Sequence, residues 1–269
     1  MQNMSEHLNQ LPTIIFVDEF CSNHKSPVQK VLIEGKEICP QCFLDSETEQ
    51  LTQQIISKLE EEEKLTSFNT LKRKSILQDQ TLLEANFKSF RTETTEQQED
   101  LKAVVEATKK IQEGLKCNLW LYGSTGVGKS HLAMSILKAL NQSKEHTCLF
   151  VDVDEMLRKI KHSFNDRETR FTEEYFVELL TEVDFLVMDD LGAETGNIET
   201  LKQATDWTSK ILRAIINGRQ DKVTIFTTNL SSTALRKIYD EKLVSRMLRN
   251  FKTIVFKNKV DNRSKNIGF

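Results

Sequence analysis

Residues 123–130 read Gly-Ser-Thr-Gly-Val-Gly-Lys-Ser, which matches the phosphate-binding loop pattern G-x-x-x-x-G-K-S/T at every fixed position. The glycines let the backbone curl so that its N–H groups point at phosphate oxygens. Lys129 supplies a cation for the β- and γ-phosphates, and the Ser130 hydroxyl can ligate Mg²⁺. A strand-like run at 119–122 precedes the loop and a helical pattern from Leu132 follows it, so the helix N-terminus can face the anion. The pattern predicts a nucleoside triphosphate site, with contacts from Gly123, Ser124, Thr125, Gly126, Val127, Gly128, Lys129, Ser130 and His131.

The composition is that of an ordinary soluble protein. Of the 269 residues, 29% are charged and 38% hydrophobic, and the formal net charge of −3 gives no global indication of nucleic acid binding. No apolar run approaches the length of a membrane span, and the first five residues do not resemble a signal peptide. Five cysteines without a secretion signal favour a reducing cytoplasm, where clustered cysteines are more plausibly bound to metal than to each other.

Strand-like and helical segments alternate in most of the chain. The strand-like runs lie at 119–122, 147–152, 185–190, 223–228 and 253–257. Between the third and fourth runs, a long helix is predicted from Ile198 to Asn217, closed by Gly218 in the C′ position. Alternation of this kind is typical of a parallel sheet covered on both faces, so we expect an α/β core.

The run Phe185–Asp190 is apolar and ends in two carboxylates, as a Walker B element does. Beside the phosphate loop, Asp189 would hold the Mg²⁺ shell and Asp190 would polarise the attacking water. Asp190 is one methylene shorter than the glutamate often found at such sites, so slow hydrolysis is expected, and Glu194 is a weaker alternative. A plain strand ending in polar turn residues would look similar, but the upstream phosphate loop favours Walker B.

Two further polar residues have both a functional and an ordinary interpretation. Asn229 ends the run from Val223 and could hydrogen-bond the γ-phosphate and the lytic water, or it could cap a helix. Arg246 lies on a short predicted helix and could reach the γ-phosphate of a neighbouring subunit, or it could be a surface arginine. The first interpretation of Arg246 makes self-association part of catalysis.

The segments that carry these residues resemble the AAA+ ATPases of the DnaC/DnaI helicase-loader group. The resemblance extends over about residues 70–269. It rests on segments that occur in this order: Ser75-Ile-Leu-Gln-Asp, Asn86-Phe87, Gly123–Ser130, Asp189–Glu194, Thr227–Asn229 and Ser245–Met247.

Membership of that group implies roles for several residues. Asn229 would be a sensor, Arg246 would be a trans-acting finger, and Arg219 is a candidate at the nucleotide interface. The group also implies a five-stranded parallel sheet with the phosphate-loop strand near its centre. Because the chain stops soon after its fifth strand, no helical lid is expected, and Arg263 is the one late candidate for a second sensor arginine.

Near the N-terminus, two residue pairs have the spacing of a zinc site. Cys21 and His24 are followed, after fourteen residues, by Cys39 and Cys42. Each pair can bind one metal ion from a tight turn, and four such ligands complete a tetrahedral structural site. All three prolines lie in the first forty residues, which predicts a small irregular module whose folding energy comes largely from the metal.

These observations divide the chain into three parts. Residues 1–45 are expected to form the zinc-binding module, and the resemblance to loaders of the DnaI type implies that it docks on a helicase. Residues 46–75 are expected to be a charged helical linker, because Ser46 can cap a helix that carries few apolar residues. Residues 76–269 form the expected AAA+ ATPase domain. Zinc modules also bind DNA, and the sequence leaves that alternative open.

Two basic stretches stand out against the neutral background. Phe164 and Phe171 accompany the first stretch and could stack on bases of single-stranded DNA, or they could belong to the core. The first stretch comprises Arg158, Lys159, Lys161, Arg167 and Arg170. The second comprises Arg246, Arg249, Lys252, Lys257, Lys259, Arg263 and Lys265, opposed by Asp261 alone.

The resemblance implies an ATP-dependent loader that binds a DnaB-type hexameric replicative helicase and places it on single-stranded DNA during replication. Its cofactors would be ATP, Mg²⁺ and Zn²⁺. Hydrolysis is expected to depend on the partner or on DNA. The protein is expected in a bacterial cytoplasm, whether a bacterium or a phage encodes it.

The nearest alternative is a transposition helper ATPase resembling IstB, which binds duplex DNA; the zinc module argues against it. A small-molecule kinase would need a substrate pocket and a lid with arginines, neither of which the sequence indicates. A non-hydrolysing adaptor that binds ATP only as structure is a third alternative.

Overall fold

A computed structural model of the chain describes residues 14–166, 168–195 and 203–257. The described chain divides into two compact units, with the boundary between Glu63 and Lys64. Each unit has a sheet of its own. In these described ranges, no helix is both long enough and apolar enough to cross a membrane.

The N-terminal unit contains a small antiparallel sheet in the order β1 (Ile15–Cys21), β2 (Val28–Ile33) and β3 (Lys36–Ile38). Glu34 and Gly35, with φ of 50° and 78°, make the tight turn between β2 and β3. Because this turn type suits the twist of paired strands, a short hairpin forms here. The expectation of an irregular module is therefore wrong for these residues.

Helix α1 (Pro40–Lys74) follows the small sheet and contains the boundary between the units. It begins earlier than Ser46, where the sequence predicts a helix start, because proline suits the first helical position, which needs no N–H donor. Three basic residues in its last turn complement the helix dipole. The division into 1–45, 46–75 and 76–269 stays a prediction.

The second unit is an α/β domain built on a five-stranded parallel sheet, which confirms the predicted fold class. The strand order is β5-β6-β7-β4-β8, so the strand before the phosphate loop lies between β7 and β8. Its elements are α2 (Thr95–Gln112), β4 (Asn118–Tyr122), α3 (Lys129–Asn141), β5 (Cys148–Asp152), α4 (Val153–Ser163), α5 (Glu173–Glu182), β6 (Phe185–Asp189), α6 (Asp206–Asn217), β7 (Val223–Thr228), α7 (Ser232–Ile238), α8 (Glu241–Met247) and β8 (Phe251–Val255).

Successive residues of the central strands enter two separate cores, one on each face of the sheet. Leu119 and Leu121 of β4 pack with α2 and α3, whereas Trp120 between them packs with the layer formed by α4 to α8. This alternation is what a parallel sheet covered on both faces requires. The expected absence of a helical lid concerns residues after Lys257, which lie outside the described ranges, as does Arg263.

Helix α6 begins at Asp206, where the Thr205 side chain caps it, and not at Ile198. Ile198 itself lies outside the described residues. Gly218 ends the helix in an ordinary right-handed conformation, with φ of −74°, so the predicted C′ position is wrong. Glycine is required there for space, because a Cβ atom would lie 2.2 Å from Cγ2 of Thr181.

Asp100 on α2 is a buried carboxylate whose Oδ2 atom has no hydrogen-bond partner. Burial raises its pKa from 3.8 to about 6, so the folded chain holds this proton more tightly than the unfolded chain. The free energy of unfolding therefore falls as the pH rises from about 4 to about 6, and above that range it stays at its lower value.

Replacing Asp100 with asparagine should remove this cost. We expect the free energy of unfolding to rise by about 2 kcal/mol at pH 7.5 and by about half of that at pH 5. Urea unfolding at the two pH values measures both changes. An exposed carboxylate at the far end of α2 supplies the control, Glu113→Gln, which should change little. Equal destabilisation of Asp100→Asn at both pH values would contradict the prediction.

Candidate functional site

The phosphate loop connects β4 to α3 at the carboxyl edge of the parallel sheet. Gly126 and Gly128 have φ of 79° and 96°, a region that favours glycine. A Cβ atom on Gly128 would also lie 2.6 Å from Cε2 of Phe90. Gly128 is the N-cap of α3. Because glycine has no side chain, it accepts no hydrogen bond from the first N–H groups of the helix through a side chain. These groups are therefore available to an anion, as the loop pattern predicts.

Lys129 lies inside the loop with only 6% of its surface exposed. Its ammonium donates hydrogen bonds to the carbonyl oxygens of Gly123, at 2.9 Å, and Ser124, at 2.8 Å. The loop thus holds the Lys129 ammonium close to the loop backbone. The same ammonium group can donate hydrogen bonds to the phosphate oxygens of a nucleotide.

Asp189 ends β6 in a buried position and is held by neighbours from two other segments. The Thr227 hydroxyl on β7 donates to Oδ1 at 2.6 Å, and the Ser130 hydroxyl also hydrogen-bonds the carboxylate. Burial raises the pKa of Asp189 to about 7; the hydrogen bond from Thr227 opposes the shift and the charge of Asp190 adds to it. A divalent cation between Ser130 and Asp189 would compensate this buried charge, so the residues fit Mg²⁺.

Asp190 is exposed and turns away from the strand with φ of 56°. Its N–H donates to the Thr227 hydroxyl at 2.9 Å, which fixes the turn, and its side chain lines the cavity beside the phosphate loop. Sequence reasoning missed Asp152, which lies directly opposite Asp189 on β5 and caps α4 through Glu155 N–H at 2.8 Å. The signal for it was a carboxylate at the end of the 147–152 run.

The cavity beside the loop has a volume of about 380 Å³. His131 faces its second wall, because its Nε2 lies 3.0 Å from the Asn86 carbonyl oxygen and 3.1 Å from Ser89 Oγ. The space is large enough for a nucleotide whose phosphates lie on the loop. The phosphate-loop side is lined by Thr125, Gly126, Gly128, Lys129, Ser130 and His131, and the second wall by Asp79, Thr81, Leu82, Glu84, Ala85, Ser89, Phe90 and Arg91.

Glu194, the weaker alternative to Asp190, is engaged elsewhere. Its carboxylate accepts a hydrogen bond from the Tyr239 hydroxyl and another from Gly192 N–H at 2.8 Å. Burial raises the pKa of Glu194. This carboxylate therefore connects the turn after β6 to Tyr239, the residue that ends α7.

Asn229 follows β7 at the carboxyl edge, between the ends of β6 and β4 in the strand order. Asn229 is not among the described residues that line the cavity beside the phosphate loop. Arg246 lies on α8 beside Asn118, at the opposite edge of the sheet, and it bonds weakly to the Lys242 carbonyl at 3.4 Å. The length of β4, about 15 Å, separates it from the phosphate loop of its own chain.

Arg219 is not at a nucleotide interface, so that expectation is wrong. It is 2% exposed, and its guanidinium donates to backbone carbonyls and to the Thr224 hydroxyl at distances of 2.6 to 3.1 Å. The carbonyl oxygens belong to Leu180, Val183, Asp184 and Val223. Arg219 thus fixes the chain that enters β6 to the start of β7.

Cys21, His24, Cys39 and Cys42 converge in the N-terminal unit, where their ligand atoms all lie within 4.8 Å of one another. The Sγ atoms of Cys21 and Cys42 are 3.7 Å apart, and His24 Nε2 lies 3.1 Å from Cys42 Sγ and 3.3 Å from Cys39 Sγ. Ligands of tetrahedral zinc lie about 3.5 to 3.8 Å apart, so the cluster fits the ion in size and chemistry.

The first basic stretch mixes cations with aromatic rings on α4 and in the segment between α4 and α5. Phe164 is exposed and meets Trp207 edge to face, with ring centroids 5.9 Å apart. Phe171 packs against the core, and the cationic ends of Lys159 and Arg170 lie 5.0 and 5.2 Å from its ring centroid. Phe164 is therefore the ring available for stacking, whereas Phe171 is engaged. Arg167, Lys259, Asp261, Arg263 and Lys265 lie outside the described residues.

Residues 45–264 match the family model of the IstB-like ATP binding protein. The replicative helicase loader DnaC of Escherichia coli (strain K12) is 26% identical over 176 residues, which cover 64% of this chain and 66% of that protein. DnaC of Buchnera aphidicola subsp. Schizaphis graminum is 24% identical over 167 residues, covering 61% and 63%. The chain thus spans slightly less than two thirds of the length of these curated relatives.

Solved structures give the same fold. A crystal structure of the DnaC helicase loader is similar over 66% of this chain and 100% of that chain, with a TM-score of 0.55 and 26% identity. A crystal structure of DnaI is similar over 67% of this chain and 95% of that chain, with a TM-score of 0.53. At 22% identity, the second likeness concerns the fold alone.

Proposed function

The chain belongs to the family of IstB-like ATP-binding proteins and is a DnaC/DnaI-like AAA+ ATPase by fold, and on that premise we propose that it loads a hexameric replicative helicase onto single-stranded DNA. The observation that carries the proposal is the likeness of its ATPase core to the whole of the crystallised DnaC helicase loader chain. The helicase partner would be of the DnaB type.

ATP would occupy the cavity beside the phosphate loop, with Lys129 and the first N–H groups of α3 receiving the phosphates. Ser130 and Asp189 would hold Mg²⁺, which supplies charge neutralisation at the β- and γ-phosphates. Asp190 would orient the attacking water, since it is exposed at the cavity and its backbone is fixed by Thr227. Asn229 would sense the γ-phosphate from the neighbouring strand end.

Arg246 would act on a neighbouring subunit. Its place at the opposite edge of the sheet supports this role, because it is remote from the phosphate loop of its own chain. Each complete site would then need two chains, and ATP would stabilise the assembled state. Hydrolysis would cause the assembled chains to dissociate and would release the helicase.

Single-stranded DNA would lie along the first basic stretch, where Phe164 is exposed among cationic side chains. The cysteine–histidine cluster would bind zinc and fix the N-terminal unit as the helicase-docking module. Residues 1–45, 46–75 and 76–269 would then be the docking, linking and ATPase parts of the protein.

The family name favours a second candidate, a transposition helper of the IstB type that binds duplex DNA. The two candidates differ in partner and in DNA substrate. The N-terminal cluster supports the loader, because it lies before residue 45, outside the part of the chain that the family model matches.

Association with a purified DnaB-type helicase tests the loader function. In size-exclusion chromatography with ATP and Mg²⁺, we expect the intact chain to comigrate with the helicase hexamer and to bind single-stranded DNA more tightly than duplex DNA. Replacing ATP with ADP should weaken self-association. Duplex preference without helicase binding would favour the transposition helper, and the absence of both interactions would remove the loader proposal.

A further inference from the structure

Helix α8 carries Arg246 and is too short to hold its own position. It spans Glu241–Met247, about two turns, and isolated helices of this length do not persist in water. At its start, the Asp240 carboxylate accepts one hydrogen bond from the Leu243 N–H at 3.0 Å and another from Arg213 at 2.6 Å. The place of Arg246 therefore depends on contacts that other elements make with the ends of the helix.

The end of α8 is held by strand β4. The last carbonyl groups of a helix have no partner within the helix, so they need donors from elsewhere. The Asn118 side-chain amide donates to the carbonyl oxygens of Met247, at 3.0 Å, and Arg249, at 3.2 Å. Trp120 Nε1 donates more weakly to the same Met247 oxygen, at 3.4 Å. Because Met247 directly follows Arg246, these bonds fix the turn of the helix that carries the arginine.

Strand β4 provides a rigid anchor for the end of the helix. It is paired with β7 on one side and with β8 on the other. Trp120 is buried and stacks on Phe226, with ring centroids 4.5 Å apart. The Asn118 N–H also donates to the Asn250 carbonyl oxygen at 3.2 Å, where the chain enters β8. Side chains on such a strand keep their geometry more precisely than side chains on loops do.

The guanidinium of Arg246 has little else to fix its position. Among the described residues, its one hydrogen bond goes to the Lys242 carbonyl oxygen at 3.4 Å, within the same helix. The long side chain can therefore reach outward, and the backbone of α8 sets the point from which it reaches. A displacement of about 1 Å at a group that acts on the reacting atoms can lower a rate by about 100-fold.

We propose that Asn118 is a positioning residue for Arg246: its amide holds the end of α8 so that the arginine reaches the γ-phosphate bound by a neighbouring chain. The inference rests on the proposed function, in which Arg246 acts on a neighbouring subunit. Because β4 leads directly into the phosphate loop, one strand then supports the nucleotide of its own chain at one end and the arginine offered to the next chain at the other.

A mixture of two variants of the full chain tests this arrangement. Arg246→Ala keeps its phosphate site and lacks the arginine, whereas Asp190→Asn keeps the arginine and lacks the carboxylate proposed to orient the water. Each alone should release phosphate at least about 100-fold more slowly than the original chain. An equimolar mixture should recover about a quarter of the original rate, because about one neighbouring pair in four joins an intact site to an intact arginine. The assay contains saturating ATP and Mg²⁺, a DnaB-type helicase and single-stranded oligothymidine.

The decisive comparison places Asn118→Ala in one partner of the mixture or in the other. Added to the Asp190→Asn chain, which supplies the arginine, it should lower the recovered rate about tenfold or more. Added to the Arg246→Ala chain, which supplies only the phosphate site, it should leave the recovered rate within about twofold. Asn118→Leu has a similar volume and no donor, so it should give the same two results while keeping the packing.

The matched control is Asn141→Ala in the Asp190→Asn chain. Asn141 also donates its side-chain amide to a backbone carbonyl, that of Phe68, at 2.9 Å. It lies at the end of α3, which packs on the opposite face of the sheet from α8. The control should change the recovered rate less than about threefold. Thermal unfolding and affinity for a fluorescent ATP analogue establish that each variant is folded.

If the mixture of Arg246→Ala and Asp190→Asn recovers no hydrolysis, Arg246 does not act on a neighbouring chain, and that role and this inference fail together. Recovery that is the same with and without Asn118→Ala would overturn the inference alone and leave the role of Arg246 standing. Equal losses with Asn118→Ala in either partner would also overturn it, since that pattern indicates general damage to the domain.

Discussion

ATP hydrolysis is expected to fall about 100-fold or more when Asp189 is replaced with asparagine, because the variant loses the negative charge proposed to hold Mg²⁺. The amide has nearly the same shape as the carboxylate, and its oxygen can still accept the hydrogen bond from Thr227. The measurement is steady-state phosphate release with saturating ATP and Mg²⁺, in the presence of helicase and single-stranded DNA.

The same variant should be more stable without metal, which separates lost chemistry from misfolding. Burial raises the pKa of Asp189 from 3.8 to about 7. The free energy of unfolding therefore falls as the pH rises from about 4 to about 7, because the folded chain ionises this carboxylate less readily than the unfolded chain does. Removing the charge should raise the free energy of unfolding by about 1 to 3 kcal/mol at pH 8 in EDTA. Loss of activity together with a higher melting temperature is a combination that general damage does not produce.

Asp221→Asn supplies a matched control, because Asp221 is an exposed carboxylate in the turn before β7, at the other edge of the sheet. It should change neither hydrolysis nor stability appreciably. Hydrolysis by Asp189→Asn within a few-fold of the original rate would show that Asp189 does not hold the metal. Loader function retained by a variant that cannot hydrolyse ATP would favour the non-hydrolysing adaptor.

The parts of the site that could be predicted from the sequence are those whose chemistry depends on local spacing. The phosphate loop is a continuous segment, and Asp189 follows its own strand directly. The four residues of the cysteine–histidine cluster form two close pairs, and each pair shares one turn. In all three cases, neighbouring residues in the chain carry enough information to indicate the ligand.

The contacts that the sequence did not predict depend on which strands become neighbours. Thr227 reaches Asp189 because β7 lies beside β6, and Asp152 lies opposite Asp189 because β5 lies on the other side. Tyr239 reaches Glu194 across a separation of 45 residues. Arg219 illustrates the opposite error, since a motif position suggested a nucleotide contact while five hydrogen bonds hold the side chain inside the domain.

The N-terminal unit has little other than its cysteine–histidine cluster to hold it together. Among its described residues, 14–63, Val31 and Cys39 are the buried ones, and one of these is itself a member of the cluster. A sheet of three short strands with so small a core is not stable on its own. Structural zinc supplies about 10 to 16 kcal/mol of apparent binding energy in small modules, which is also their folding energy.

Replacing Cys42 with serine should therefore release the metal and unfold the β1–β3 sheet completely, while the ATPase domain stays folded. Metal analysis should find about one zinc ion per original chain and almost none in the variant. Amide resonances of residues 15–38 should collapse to unfolded positions, and ATP affinity should be unchanged. Cys117→Ser is the control, since Cys117 belongs to the other unit and lies outside the cluster.

A variant that keeps its zinc, or that loses zinc while the β1–β3 resonances stay in place, would contradict the structural role of the cluster. The outcome also bears on the proposed helicase docking, because the proposed docking module contains this sheet. Helicase affinity of Cys42→Ser should consequently fall about tenfold or more. If the affinity survives unfolding of the sheet, the helicase contact lies on α1 or in the ATPase domain, and the metal serves some other part of the protein.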